Sequence, residues 1–322
     1  PAARRPLTRQ PAMPAVATRR TPRPPPAPRA DPPAPPPRDT KRARRSRGWR
    51  CAVAVAALAM TAALAPGAAA AAAPDTDVPF VVTPDRVTLA MLELAGVGPG
   101  DHVIDLGSGD GRIVILAAQR FGATGLGVEI VDDLVRRSRD NAVRAGVAGR
   151  VEFRAEDLFA TDLSRATVVT MYLLPAVNLQ LRPRLLALAP GTRIVSHDYD
   201  LGDWRPDRSV VVEAPDKPVG RDKRSTLHLW TVPARVAGTW CGSGDAAAHR
   251  LRIDQRHQDV DATLDAMPLA GRVDGSRLRL IASAGTEWVL QWHADGTLRV
   301  DAPAALQGAR FVRGAGDTCT TR

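Results

Sequence analysis

This chain of 322 residues predicts a doubly wound α/β domain followed by a small all-β domain. Three observations carry that expectation. Between Phe80 and Pro233, continuous apolar runs alternate with helical patterns, which implies a mostly parallel sheet covered on both faces. The stretch "VIDLGSGDGRIVI", Val103 to Ile115, takes a buried strand through three glycines at alternate positions into a helix. That is the kind of turn at which open α/β sheets bind ligands. After Pro233 the texture becomes short alternating segments broken by Gly, Asp and Ser.

Residues 1–48 read as a disordered basic tail. Residues 1–50 hold fourteen Lys/Arg against only Asp31 and Asp39, together with half of the 28 prolines and few large apolar residues. Since the whole chain carries +10 and this stretch +12, the remainder is at −2. The folded part therefore makes no electrostatic case for a polyanion, and no nucleic-acid partner is expected. Residues 49–77 follow the positive flank "KRARRSRGWR" with an apolar run from Cys51 to Ala65, a Pro66-Gly67 break and small residues. This is the pattern of a secretory signal peptide, with an uncleaved anchor or an Ala-rich linker as the alternatives. An exported or membrane-associated protein is the expectation, with membrane association through residues 51–73. A start downstream of this segment would make the protein cytoplasmic. Cleavage would leave Cys241 and Cys319, which an oxidising compartment would let bridge; two unrelated thiols are the alternative.

Residues 78–233 form the α/β domain. "TPDRVTLAMLELAGVGPGD" predicts a helix capped by Thr83, with Pro84 and Asp85 in its first turn. Val87, Leu89, Met91, Leu92 and Leu94 supply its apolar positions, and Gly96 ends it. "HVIDLG" then precedes a helix at 110–121, "TGLGVEI" precedes one at 131–145, "VEFRAED" follows, "ATVVTMY" precedes a helix at 176–189, and "TRIVSHD" comes last. "SVVVEAP" and "STLHLWTV" have no helix between them and predict an antiparallel hairpin closing one edge of the sheet. Residues 236–322 predict a small antiparallel sheet or barrel built from "HRLRIDQR", "DVDATLDA", "SRLRLIAS", "TEWVLQWH", "TLRVDA" and "ARFVRG". Trp288, Leu290 and Trp292 fall on one face at period two and read as its core. Its His249, His257 and His293 stand at no metal-ligand spacing.

The glycine loop, Asp105 to Gly111 with Ser108 and Asp110 inside it, departs from the dinucleotide pattern G-x-G-x-x-G, because Arg112 stands where the third glycine would be. A compact carboxylate or zwitterion at the loop fits better than a pyrophosphate. Two further acids stand at later strand ends. Glu129 can accept both hydroxyls of a ribose, provided Asp132 caps the following helix and leaves it free. Asp157 can accept from an adenine amino group. Each acid could instead cap a helix.

At these residues the chain resembles a family. "DLGSGDGR", "GVEI" and "AEDLF" resemble the successive motifs of class I S-adenosylmethionine-dependent methyltransferases. "PFVVTP", "LLP", "TRIVSHDYDLGDWRP" and "HLWTVP" are similar to bacterial relatives of the mitochondrial lysine methyltransferases that modify the adenine nucleotide translocase and the ATP synthase c-ring protein. The resemblance covers about residues 78–233. It implies a Rossmann-like doubly wound sheet, mostly parallel with an antiparallel edge strand, beside a small C-terminal antiparallel β domain. It implies S-adenosyl-L-methionine as cofactor. Asp105, Gly107, Ser108, Gly109, Asp110 and Gly111 would lie at the methionine end, Glu129 and Ile130 at the ribose, and Asp157 and Leu158 at the adenine.

Methyl transfer needs an uncharged nucleophile in line with the sulfonium and shielded from water. The residues able to line that space are Met171, Tyr172, Leu173, Leu174 and Pro175, then His197 and Asp198. Met171, Leu173, Leu174 and Pro175 are expected to wall a substrate channel, and Tyr172, His197 and Asp198 are the catalytic candidates. "MYLLP" lacks the amide or acid that methyltransferases acting on nucleobases place there, and suits an aliphatic amine. His197 could take the departing proton, or simply be bonded within the sheet end. Trp204 reads as a packing anchor. The expected activity is transfer to an amine, foremost a protein lysine. A small-molecule substrate on the same fold, or an exported binding protein without turnover, are the alternatives.

Overall fold

A computed structural model describes residues 80–316 and Cys319. The basic tail and the apolar segment at 49–77, on which export and membrane association rest, lie outside the described residues. Among the described residues no helix is long and apolar enough to cross a membrane.

Helix α1 (Asp85–Leu94) opens the α/β unit. Thr83 does not cap it: Pro84 occupies the cap position without a side-chain bond, and Thr83 itself is buried. Val87, Met91 and Leu92 face the core, with Thr88 where the apolar pattern had placed Leu89. Gly96, at φ 61°, ends the helix. Then follow β1 (His102–Leu106), α2 (Arg112–Phe121), β2 (Thr124–Glu129), α3 (Asp132–Arg144), β3 (Val151–Ala155), β4 (Val168–Met171), α4 (Pro175–Leu185), β5 (Arg193–His197), β6 (Arg208–Glu213) and β7 (Arg224–Thr231). The sheet order is β3-β2-β1-β4-β5-β7-β6, with β1 to β5 parallel to one another. The expected antiparallel hairpin does close one edge of the sheet, with its antiparallel strand one place in from the rim. β7 pairs with β5 on one side and β6 on the other, so β6 forms the rim.

Because β1 and β4 are neighbours reached from opposite directions along the chain, their carboxyl ends open a crevice. The central strands are buried at nearly every position because helices cover both faces. Ile104, Leu106, Met171 and Ile194 pack one side, while Val103, Val168 and Val195 pack the other with Val87 and Met91.

After Thr231 a short buried connection through Ala234 and Val236 leads into a closed eight-stranded barrel. Its strands are β8 (Gly238–Ser243), β9 (Arg250–Arg256), β10 (Asp259–Leu264), β11 (Met267–Asp274), β12 (Arg277–Ala282), β13 (Glu287–Trp292), β14 (Thr297–Ala302) and β15 (Arg310–Arg313), closed by β15 pairing with β8. Alternate residues fill the interior, Trp288 and Leu290 among them, with Trp292 packed at its side. Cys241 in β8 is bridged to Cys319. Trp204 is fully buried at the junction, with the rings of Trp230 and His257 6.2 and 6.0 Å away. It is thus the anchor on which the barrel rests. Gln258 adds a bond from its side-chain amide to the Arg205 carbonyl at 2.7 Å.

Candidate active site

The glycine loop leaves β1 and turns immediately towards β2, since the Gly107 and Ser108 amides both donate to the Val128 carbonyl at 2.9 and 2.8 Å. Gly107 has φ +75° and is exposed towards the crevice; a Cβ there would stand 2.8 Å from Leu173 Cδ2. Gly111, at φ +81°, is the cap of α2, and a Cβ there would press on Ser138 and on the Phe153 ring at 2.6 and 2.7 Å. The loop therefore needs glycine for the protein's own packing as well as for any ligand. Against Gly109 lies the ring of Phe80, from the "PFVVTP" segment. Arg112 explains that contact. Its guanidinium donates to both Asp110 oxygens, at 2.9 and 2.7 Å, and to the Thr83 carbonyl at 2.8 Å. Asp110, expected at the cofactor, thus spends its carboxylate on Arg112 and ties the amino-terminal segment to the loop.

The acids have three distinct environments. Asp105 is 2 % exposed and accepts the Thr170 hydroxyl at 2.7 Å. Burial pushes its carboxyl up from the ordinary 3.8 to about 7, the Thr170 bond opposing and the charges of Glu129 and Asp110 adding. An acid with a raised folded pKa stabilises the fold fully below its unfolded pKa and loses that contribution as pH rises through its folded value. The difference is worth about 4 kcal/mol. Between about pH 4 and about pH 8, Asp105→Asn should therefore gain roughly that much in stability relative to the wild type. Urea denaturation midpoints at several pH values measure it, and parallel profiles for the two proteins would contradict the assignment.

Glu129, half-buried, is not free as expected. One carboxylate oxygen accepts the Gly109 amide at 3.0 Å, and the other accepts Ile130 and Val131 at 2.9 and 3.1 Å. Val131 rather than Asp132 is the cap of α3. The carboxylate so fastens the tip of β2 to the glycine loop, with lone pairs left over. Beside it Ile130 is 74 % exposed, an apolar surface beside an acid. Asp157 stands two residues beyond β3 and accepts the Phe159 amide at 2.8 Å, starting the turn that also holds Leu158. Its carboxylate is exposed.

At the ends of β4 and β5 the side chains alternate. Met171 is wholly buried in the core and Leu173 nearly so against Gly107, while Leu174 and Pro175 are exposed at the start of α4. Met171 is therefore core rather than channel wall, because period two turns it away from Tyr172. The Tyr172 ring stacks on His197 at 3.9 Å, with Tyr199 near-parallel at 6.4 Å. Burial, then the nearby Asp198 and Tyr199, push the Tyr172 phenol up to about 12.

His197 does not present a base to the crevice. It is completely buried, its Nε2 is bonded to the Ser225 hydroxyl at 2.8 Å, and burial lowers it to about 4. It is a neutral platform under Tyr172. Asp198 has a left-handed backbone, φ 64°. Its carboxylate accepts the Thr226 amide at 3.0 Å and the Lys217 ammonium at 2.6 Å. Buried Asn178 on α4 holds this corner by donating to Ser196 and to the carbonyls of Tyr199 and Asp200, all at 3.3 Å. Sequence reasoning passes over Tyr199, Asn178 and Lys217. Tyr199 is visible as the aromatic in "SHDYD", whereas Asn178 and Lys217 acquire their places only through long-range pairing.

The ANTKMT methyltransferase domain family matches residues 105–208. A protein-lysine N-methyltransferase of Saccharolobus islandicus is 46% identical over 138 residues, covering 42% of this chain and 86% of that protein. The adenine nucleotide translocase lysine N-methyltransferase of Mus musculus is 37% identical over 141 residues, 44% of this chain and 61% of that enzyme. This chain thus spans less than two thirds of the mouse enzyme. An RNA methyltransferase from Salinibacter ruber, solved in complex with S-adenosyl-L-homocysteine, is 54% identical, with 48% of this chain and 96% of that chain covered and a TM-score of 0.45.

Proposed function

We propose that this chain, which belongs to the class I S-adenosylmethionine-dependent methyltransferases and to their family of lysine methyltransferases related to that of the adenine nucleotide translocase, methylates the ε-amine of a protein lysine. S-adenosylmethionine is its cofactor, and supplies an activated methyl when bound. The residues present fit that group. A carboxylate that already turns towards the glycine loop, Glu129, suits ribose hydroxyls, and the exposed Ile130 beside it suits a purine face. Asp157 and Leu158 would flank the adenine. Gly107, bare and open to the crevice, would take the methionine end with Asp105 beneath it.

The observation that carries the lysine reading is the acceptor side. Tyr172 and Tyr199 form an aromatic wall, and the Asp198 carboxylate is the charged group beside it. Such a wall takes the alkyl stem of a lysine and shields the reacting amine from water. A lysine amine is protonated at ordinary pH, with pKa ~10.4, and must lose a proton to react. Asp198 would orient the incoming ammonium, whose proton leaves to bulk water before the amine closes on the methyl, whereas His197 only keeps Tyr172 in plane. The absence of an amide or acid in "MYLLP" supports an aliphatic amine over a nucleobase, and the lysine-modifying relatives point the same way.

The full chain incubated with tritiated S-adenosylmethionine, poly-L-lysine and cell lysate should yield ε-methyl-lysine on acid hydrolysis. Label confined to RNA, or to the small-molecule fraction, would overturn the proposal.

A further inference from the structure

Of the 44 Lys and Arg in this chain only three are lysine: Lys41, Lys217 and Lys223. Two of them lie in the turn that joins β6 to β7. Because His197 pairs with Leu227, and Glu213 with Arg224, that turn hangs beyond the carboxyl end of β5, on the same side of the sheet as the glycine loop. Lys223 donates to the Lys217 carbonyl at 2.6 Å and holds the turn closed. Lys217 points inward. Its side chain is 11% exposed, and its ammonium donates to Asp198 Oδ2 at 2.6 Å and to the Arg224 carbonyl at 2.8 Å.

An ion pair that merely fastened a turn would be served at least as well by arginine, whose planar fork grips carboxylates in pairs. Arginine is what this chain uses at Asp101, Asp110, Asp203 and Asp207. At Asp198 two acceptors, one just past the end of β5 and one at the start of β7, converge on one nitrogen, a geometry that suits a compact ammonium on a slim stem. Asp198 is also held in the left-handed region, a conformation that strains a residue other than glycine. Its carboxylate lies 3.5 Å from His197 Nε2, and the His197 ring lies under Tyr172. The ammonium of Lys217 is thus linked to the aromatic wall of the acceptor side through Asp198 and His197.

We infer that Asp198 and the Arg224 carbonyl form the seat of the acceptor lysine's ammonium, and that Lys217 occupies this seat until a substrate lysine displaces it. The inference rests on the lysine reading above. One carboxylate oxygen serves both cations in turn, so the β6–β7 turn must withdraw Lys217 as substrate enters. The affinity for substrate is then reduced by the fraction of time Lys217 is in place. A neutral side chain entering the seat would leave Asp198 half-buried without its counter-charge, which selects cationic acceptors.

The test uses the full chain loaded with S-adenosyl-L-homocysteine and titrated calorimetrically with n-butylammonium. Lys217→Met should bind this probe about tenfold more tightly than the wild type. Lys217→Gln, polar and of similar length, should behave alike and guards against a misfolded first variant. Adding Asp198→Asn to either should remove the gain. In parallel, Lys217→Met should lower KM for poly-L-lysine in the methyl-transfer assay. Unchanged n-butylammonium affinity in both single variants would show that the ion pair only fastens the turn, and would overturn the seat while leaving the lysine reading intact. No transfer to poly-L-lysine from any of these proteins would overturn the lysine reading and the seat with it.

Discussion

Gly107→Val should abolish cofactor binding at concentrations that saturate the wild type. Two effects act together at this position. The backbone is held at φ +75°, where a β-branched residue is a severe outlier, and the new Cβ would stand 2.8 Å from Leu173. The strain costs the fold about 1–3 kcal/mol whether or not ligand is bound. Affinity is lost through the clash, which moves either the glycine loop or the tip of β4, the two walls of the crevice. Gly146→Val is the matched control, because Gly146 is also left-handed, φ +70°, but has open space where a Cβ would stand. It should lower the melting temperature and leave affinity alone. Calorimetry with S-adenosylmethionine on both variants separates strain from crevice geometry, and retention of binding by Gly107→Val would show that the cofactor does not approach this loop.

Tyr172→Ala should do the opposite, sparing cofactor affinity while turnover falls about a hundredfold, the scale expected when a reacting group is misplaced by about an ångström. Its neighbour Leu173 is the residue that stands against Gly107, while the Tyr172 ring stacks on His197 and faces Tyr199. Single-turnover rates on loaded enzyme, set beside calorimetric affinities, read the two effects separately. If affinity and turnover fell together, the ring would belong to the cofactor's seat rather than the acceptor's.

The parts of this site that are local in sequence are legible from it. A strand, glycines and a helix start lie within Val103–Ile115, so the loop and its place at a strand end follow from that segment alone. The acids are found by the same route, yet their duties differ from the expectation. Glu129 bonds to the Gly109 amide and Asp110 to Arg112, contacts made by folding the loop back on its own neighbours. Strand periodicity alone suffices to place Met171 in the core, since it turns that side chain away from Tyr172.

Other features depend on pairing between distant residues. Nothing local distinguishes a rim strand from β7, inserted between β5 and β6. The ammonium at Asp198 arrives from nineteen residues away. Two barrel strands are hidden for compositional reasons. β8, "GTWCGS", carries two glycines, and β11, "MPLAGRVD", carries Pro268 and Gly271. At Gly271 a Cβ would run into the Arg279 carbonyl of β12, so the residue that weakens the strand pattern is the one that lets the barrel close tightly there. Trp204 reads as an anchor from the sequence, and the structure adds what it anchors, the turn of the barrel that carries His257.

A crystal structure of the full chain with S-adenosyl-L-homocysteine should show the ribose hydroxyls on Glu129, the adenine against Ile130, and the sulfur between Gly107 and the Tyr172–Tyr199 wall. An adenosine bound away from Glu129, or a sulfur on the side of the sheet remote from Tyr172, would contradict that placement.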